Sequence, residues 1–245
     1  MARTGGTVMC RCLASMRGVV LLSEVHPLGT RAFNPLIQAQ AWYGLLSSDD
    51  LESASRSELS FLQAIQLIAQ RCAEQGKTLV LRDWSHLDYT GVPFTQPTYR
   101  SLLAESLQQS FALVRYASVR HPLDQWLSVR QQGVFHGRLG PARFLRGASR
   151  FAEAAVGMGF VRYEDFTRDS DQTLQQLCAG LALGFDREYR EKWSTYTNIT
   201  GDVLPGRAGG EIAPLPRQPL TAAEKRSFCS SPQYEAIIKC LGYDD

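Results

Sequence analysis

The chain has 245 residues, 44% apolar and 20% charged, with a formal net charge of +2. This is the composition of an ordinary globular protein large enough for one sizeable α/β domain. It gives no support to a nucleic-acid binder, whose basic surplus is missing. No run of 18 apolar residues reads as a membrane-spanning helix, and the six cysteines (10, 12, 72, 178, 229 and 240) lack paired metal spacing.

In chain order, Arg3-Thr4-Gly5-Gly6-Thr7 comes first, ahead of a helix-forming run expected over Thr7–Met16. A cation, hydroxyls and glycines at a helix N-terminus suit a loop whose N–H groups close around an anion. Val19–Leu22 reads as a buried parallel strand ending in Ser23-Glu24-Val25-His26-Pro27. Polar groups there stand at a strand's carboxyl end, where open α/β sheets hold their ligands. Residues 29–50, with Asn34-Pro35 and Ser47-Ser-Asp-Asp50, read as irregular, and their aromatic residues around Trp42-Tyr43 as candidates for an acceptor pocket. Apolar spacing predicts a helix over Ser57–Gln75, stopped by Gly76. A strand over Thr78–Leu81 leads into Arg82-Asp83-Trp84-Ser85-His86, and a loop with Pro93 and Pro97 leads to a helix near Tyr99–Gln108.

Phe111–Val119 is expected to be a strand with Arg120 at its carboxyl end, and Pro122 presets the helix over Leu123–Gln132. A helix over Phe144–Val156, a strand over Phe160–Tyr163 and a helix capped by Asp169 follow. Thr197–Pro219 is rich in glycine and proline and carries Arg207; short helices near 221–228 and 232–241 close the chain. Strands alternating with helices predict a single α/β domain over 1–245, in three α/β/α layers with a mostly parallel central sheet. The first 23 residues hold Arg3, Arg11 and Arg17 and no acid, yet lack a secretory core, so they are taken as part of the fold and the protein as cytoplasmic.

Two segments together resemble the sulfotransferases that use 3'-phosphoadenosine 5'-phosphosulfate (PAPS). One is Arg3-Thr-Gly-Gly-Thr7; the other is Arg120-His-Pro122-Leu-Asp124-Gln-Trp-Leu-Ser128, with Tyr163-Glu164-Asp165 downstream. The resemblance implies a P-loop-like fold, PAPS as co-substrate and no metal. It implies Arg3, Thr4, Gly5, Gly6 and Thr7 around the 5'-phosphosulfate, and Arg120 and Ser128 on the 3'-phosphate. Tyr163 would lie near the adenine and Arg207 in a late basic loop over the same phosphate. Glu24 stands where one branch of that family carries its general base and His86 where another does; Asp83 and His26 are weaker candidates, and a nearby Arg3 is expected to favour a charged Glu24. The acceptor, a hydroxyl on a sugar, lipid, small molecule or protein tyrosine, stays open, as does the oligomeric state.

One departure stands out. The family runs an apolar central strand directly into the loop, whereas only Met1 and Ala2 precede Arg3 here. The expectation is a chain lacking that first strand through truncation, and binding PAPS poorly as it stands. Two rivals are a degenerate, inactive binding protein of the same fold and a small-molecule kinase. The kinase is disfavoured because the loop is short and has no P-loop lysine.

Overall fold

In the computed structural model the described residues are 1–201, 211–214 and 216–244, so Arg207 lies outside them. The first half comprises α1 (Gly6–Ala14), β1 (Val19–Val25), α2 (Pro35–Tyr43), α3 (Ser48–Arg56), α4 (Phe61–Glu74), β2 (Thr78–Asp83), α5 (His86–Thr90) and α6 (Leu102–Leu107). The second half comprises β3 (Ala117–Val119), α7 (Pro122–Val129), α8 (Pro141–Met158), β4 (Phe160–Arg162), α9 (Tyr163–Arg168), α10 (Ser170–Gly180), α11 (Tyr189–Lys192), α12 (Ala222–Cys229) and α13 (Pro232–Leu241). This is the expected α/β order of parallel strands with helices on both faces. Among these residues no helix is long and apolar enough to cross a membrane.

The strands form two parallel pairs rather than one sheet. β1 pairs with β2 from Val19↔Thr78 to Val25↔Asp83, with an irregularity between Leu22 and Val25. β3 pairs with β4 through Ala117↔Phe160, Ser118↔Val161 and Val119↔Arg162. Side-chain alternation sorts each strand between two apolar layers. Val19 and Leu21 of β1 pack with Met9, Leu13, Leu174 and Tyr189, while Val20 and Leu22 turn to Ile65 and Ile68 of α4. Ala117 and Val119 of β3 face Phe144, Ala148 and Ile237.

Four local expectations are corrected. Residues 29–50 are not irregular: Asn34 caps α2, accepting from the N–H of Leu36 and Ile37, with Pro35 in the first turn. The expected long helix over Ser57–Gln75 begins only at Phe61, where Ser60 and Gln63 form a capping box; Ser47 and Asp50 form another at the start of α3. The expected strand over Phe111–Val119 pairs only at Ala117–Val119, and the helix expected from Tyr99 starts at Leu102.

The free edge of β1 is closed by side chains. The Tyr43 hydroxyl accepts from the Leu21 N–H (3.0 Å) and donates to the Leu21 carbonyl (2.9 Å). Gln38 accepts from the Ser23 N–H through Oε1 (2.7 Å) and donates from Nε2 to the Ser23 carbonyl (2.8 Å). Tyr43, expected near an acceptor pocket, instead completes a sheet edge.

Candidate functional site

All four strands point their carboxyl ends at the loop over residues 3–7. Arg82, near the end of β2, donates from Nη2 to Thr7 Oγ1 (3.1 Å) and from Nη1 to Ser23 Oγ of β1 (3.2 Å). Thr4 Oγ1 lies 2.9 Å from Ser118 Oγ of β3. Tyr163, next after β4, packs on Gly5, whose added Cβ would fall 2.3 Å from Tyr163 Cδ2. The loop is therefore held between both strand pairs.

Gly5 is the N-cap of α1 at φ 80°, and the helix has no side-chain cap at that end. The first-turn N–H groups of a nine-residue helix, with their partial positive charge, are thus offered to the loop. Arg3 sits at φ 66° and Glu24 at φ 55°. Left-handed backbone at two non-glycine residues is strain of the kind held at functional sites. For Glu24 the cause is the irregularity that ends the regular β1 register at Leu22.

The second predicted segment converges on the first. Arg3 Nε donates to Ser128 Oγ (2.9 Å), and Arg120 donates from Nη1 to the Arg3 carbonyl at 3.5 Å. The Arg120 guanidinium carbon lies 4.6 Å from the Tyr163 ring centroid, a cation–π contact, and its buried Nε has no hydrogen-bond partner among the described residues. Gln125 Nε2 donates to the Ala2 carbonyl (2.7 Å), tying α7 to the same stretch. Arg3, Thr4, Gly5, Gly6, Thr7, Glu24, His86, Arg120, Ser128 and Tyr163 all line one cavity of about 1680 Å³.

Two arginines that sequence reasoning passed over also line it. Arg82 is the cation beside Glu24, Nη2 to Oε1 being 4.0 Å, whereas Arg3, expected in that place, turns to Ser128. Arg82 had only one outward signal, its position just past an apolar strand. Arg217 grips Asp124 with two bonds, Nε to Oδ1 (2.7 Å) and Nη2 to Oδ2 (2.8 Å). It lies in the same glycine- and proline-rich segment as Arg207 and carries the same signal. Tyr163, expected in a strand, instead opens α9.

The base candidates separate by environment. Asp83 accepts from Ser101 Oγ at Oδ2 (2.9 Å), while its buried Oδ1 has no partner among the described residues; burial, with Asp88 near, pushes its carboxyl up to about 6. His26 is fully buried, accepts from the Leu28 N–H at Nδ1 and therefore donates from Nε2 to Asp88 (3.1 Å), a structural pairing. His86 lies edge-on to Trp84 and Phe135, with centroids 5.5 and 5.3 Å away. Burial, helped by the Met1 ammonium and Arg82, pushes its imidazolium down to about 3.

That shift sets a pH dependence. A histidine with a lowered native pKa adds nothing at pH 7, because both states are neutral there. Between about 6.5 and 3 the unfolded chain takes up the proton first, so stability falls as pH falls. The cost at pH 5 is about 2 kcal/mol. His86→Phe should therefore lose about 2 kcal/mol less than wild type between pH 7 and pH 5 in urea titrations. Identical losses in the two proteins would show that the ring is already charged in the fold.

No protein-family model and no curated protein matches the chain. Two solved structures do match it. A sulfotransferase domain from the curacin biosynthetic pathway is 17% identical with a TM-score of 0.64, the match covering 99% of this chain and 95% of that one. A sulfotransferase domain from the Synechococcus PCC 7002 olefin synthase is 14% identical with a TM-score of 0.63, covering 99% and 92%. The chain has the fold of these domains along its length.

Proposed function

We propose that this chain, which has the sulfotransferase fold, moves the sulfuryl group of PAPS to a hydroxyl acceptor. The observation that carries the reading is the convergence of the two segments: loop 3–7 and Arg120, Ser128 and Tyr163 meet through direct contacts. A doubly phosphorylated donor needs two cationic cradles at a defined separation, and neither segment alone would supply both.

The loop amides and the first turn of α1, with Arg82 beside Thr7, hold the 5'-phosphosulfate and take up charge on the leaving phosphate oxygen. Arg120 and Ser128 hold the 3'-phosphate, where a guanidinium fork suits a phosphate dianion. Arg207 belongs to the proposal only as an expected late contact. Glu24 is the general base: it takes the acceptor's proton as the hydroxyl oxygen bonds to sulfur and the sulfur–phosphate oxygen bond breaks. Its place beside the Arg82–Thr7 contact supports this choice. His86, held close to neutral at any working pH, is too weak a base to compete. Trp84 lines the same cavity, with Phe33 and Phe94 packed on it at centroid distances of 4.8 and 5.8 Å, and offers an apolar surface to the acceptor's body.

The donor site is tested by thermal shift with 3'-phosphoadenosine 5'-phosphate. Ligand at a hundred times Kd should stabilise wild type by about 2.7 kcal/mol. Arg120→Ala should remove most of that shift. A shift of equal size in the variant would sink the assignment of Arg120 to the 3'-phosphate.

A further inference from the structure

We infer that Glu164 is a positioning residue for the donor's 3'-phosphate, acting through the Arg120–His121 peptide, and that Tyr243 holds its carboxylate in place, a reading that rests on the donor site proposed above. Neither Glu164 nor Tyr243 lines the cavity, so both act through other residues.

Two consecutive residues at the start of α9 hold Arg120 at its two ends. Tyr163 carries the guanidinium, 4.6 Å from its ring centroid. Glu164 Oε1 accepts from the His121 N–H (2.9 Å) and so fixes the peptide that follows Arg120. His121 is the N-cap of α7, and its own side chain caps nothing there. The Glu164 bond therefore sets how Arg120 leaves β3 and how α7, which carries Ser128, begins. Because the peptide is planar, holding its N–H also constrains the Arg120 Cα. A side chain fixed at both ends keeps its guanidinium fork aimed at one place, as recognition of a phosphate dianion requires.

The carboxylate is itself held from far along the chain. Tyr243 donates its hydroxyl to Glu164 Oε2 (2.9 Å). Burial, and then the Glu164 carboxylate, push the Tyr243 hydroxyl up, so it stays a donor. Its ring lies edge-on to His121, centroids 5.3 Å apart, and under the Arg162 guanidinium, 5.0 Å from the centroid. Arg162, the last residue of β4, also donates from Nη2 to the Leu241 carbonyl (2.6 Å) at the end of α13. Gly242 permits that approach: at φ 64° an added Cβ would stand 2.7 Å from Arg162 Nη2. The chain after α13 thus turns back onto the carboxyl ends of β3 and β4.

Glu164 puts a negative charge beside a site assigned to a dianion. By charge alone its removal would tighten binding of the 3'-phosphate. As a positioning group its removal weakens that binding. The opposite signs separate the two roles.

The test compares the affinities of the full chain for 3'-phosphoadenosine 5'-phosphate and for adenosine 5'-phosphate, which lacks the 3'-phosphate, by isothermal titration calorimetry. Their ratio isolates what the 3'-phosphate contributes, and a general loss of stability cancels from it. Glu164→Ala should lower the ratio about tenfold, the scale of one charge-assisted bond. Glu164→Gln should leave it at or above the wild-type value, because the amide oxygen still accepts from the His121 N–H while the amide nitrogen donates to Tyr243. Tyr243→Phe keeps the ring contacts and should lower the ratio about threefold; it carries the test should Glu164→Ala fail to fold. A ratio unchanged or raised in Glu164→Ala, or lowered as far in Glu164→Gln, would overturn the role of Glu164. An unchanged ratio in Tyr243→Phe would overturn that of Tyr243. A ratio of one in wild type is a different failure: it would overturn the donor site, and this inference with it.

Discussion

Gly5→Ala should abolish the thermal shift given by 3'-phosphoadenosine 5'-phosphate and lower stability as well. Two separate costs meet at this position. At φ 80° a Cβ is strained wherever it points, at about 1–2 kcal/mol. The new methyl would also stand 2.3 Å from Tyr163 Cδ2, so the ring must move, at about 1–3 kcal/mol. Tyr163 carries the Arg120 guanidinium on its face, and its displacement shifts the cation that the proposal assigns to the 3'-phosphate. Gly76→Ala separates the terms, because Gly76 has φ 63° but nothing within 4 Å of an added Cβ. It should cost the backbone term alone and leave the ligand shift intact. Tyr163→Ala added to Gly5→Ala should restore the packing term but not ligand binding, a non-additivity expected of touching residues. In Tm, each kcal/mol corresponds to about 2–4 °C for a chain of this size. A full ligand shift in Gly5→Ala would mean that the loop does not serve the donor.

The segments that form the candidate site are legible in the sequence because each is local. Two glycines between hydroxyls at a helix start, and Arg120 at a strand end before Pro122, carry their meaning in a few neighbouring residues. The contacts that join them are not local: Arg3 with Ser128, and Gly5 against Tyr163, close over 125 and 158 residues respectively. Family likeness anticipated that convergence, and periodicity had no means to. Errors arose where one residue type has two uses. Asn34-Pro35 and Ser47–Asp50 look like chain breaks, and they are helix starts, since the same oxygen that turns a loop also caps a helix. The strand expected over Phe111–Val119 is longer than the Ala117–Val119 observed because pairing depends on a neighbour that no propensity reveals. The role of Arg82 is hidden in the sequence for a related reason. A strand-end arginine is ordinarily solvated, and only the approach of α1 to β1 and β2 brings Thr7 within 3.1 Å of it.

Glu24→Gln should lower kcat by about 10²–10⁴ while leaving the nucleotide-induced thermal shift in place. Glutamine keeps the shape of the side chain and a carbonyl to face Arg82, 4.0 Å away, but it cannot take a proton from an attacking hydroxyl. Because the carboxylate is assigned to the acceptor's proton and not to either phosphate, KM for the donor should move little. The comparison variants are Asp83→Asn and His86→Phe. Asp83 has a carboxyl pushed up to about 6, a value that suits a base, but its Oδ2 is engaged by Ser101 and its Oδ1 is buried. His86 has its ring edge-on to two aromatic neighbours and gives up its proton near pH 3. Both variants should retain activity within about tenfold of wild type, below the range expected for loss of a general base. Activity lost in Asp83→Asn and kept in Glu24→Gln would move the base from the end of β1 to the end of β2. The acceptor would then have to enter from the Ser101 side of the cavity, away from the Arg82–Thr7 contact. Either result fixes the line of attack, because in the proposed reaction the base must lie on the acceptor's side of sulfur, opposite the loop assigned to the leaving phosphate.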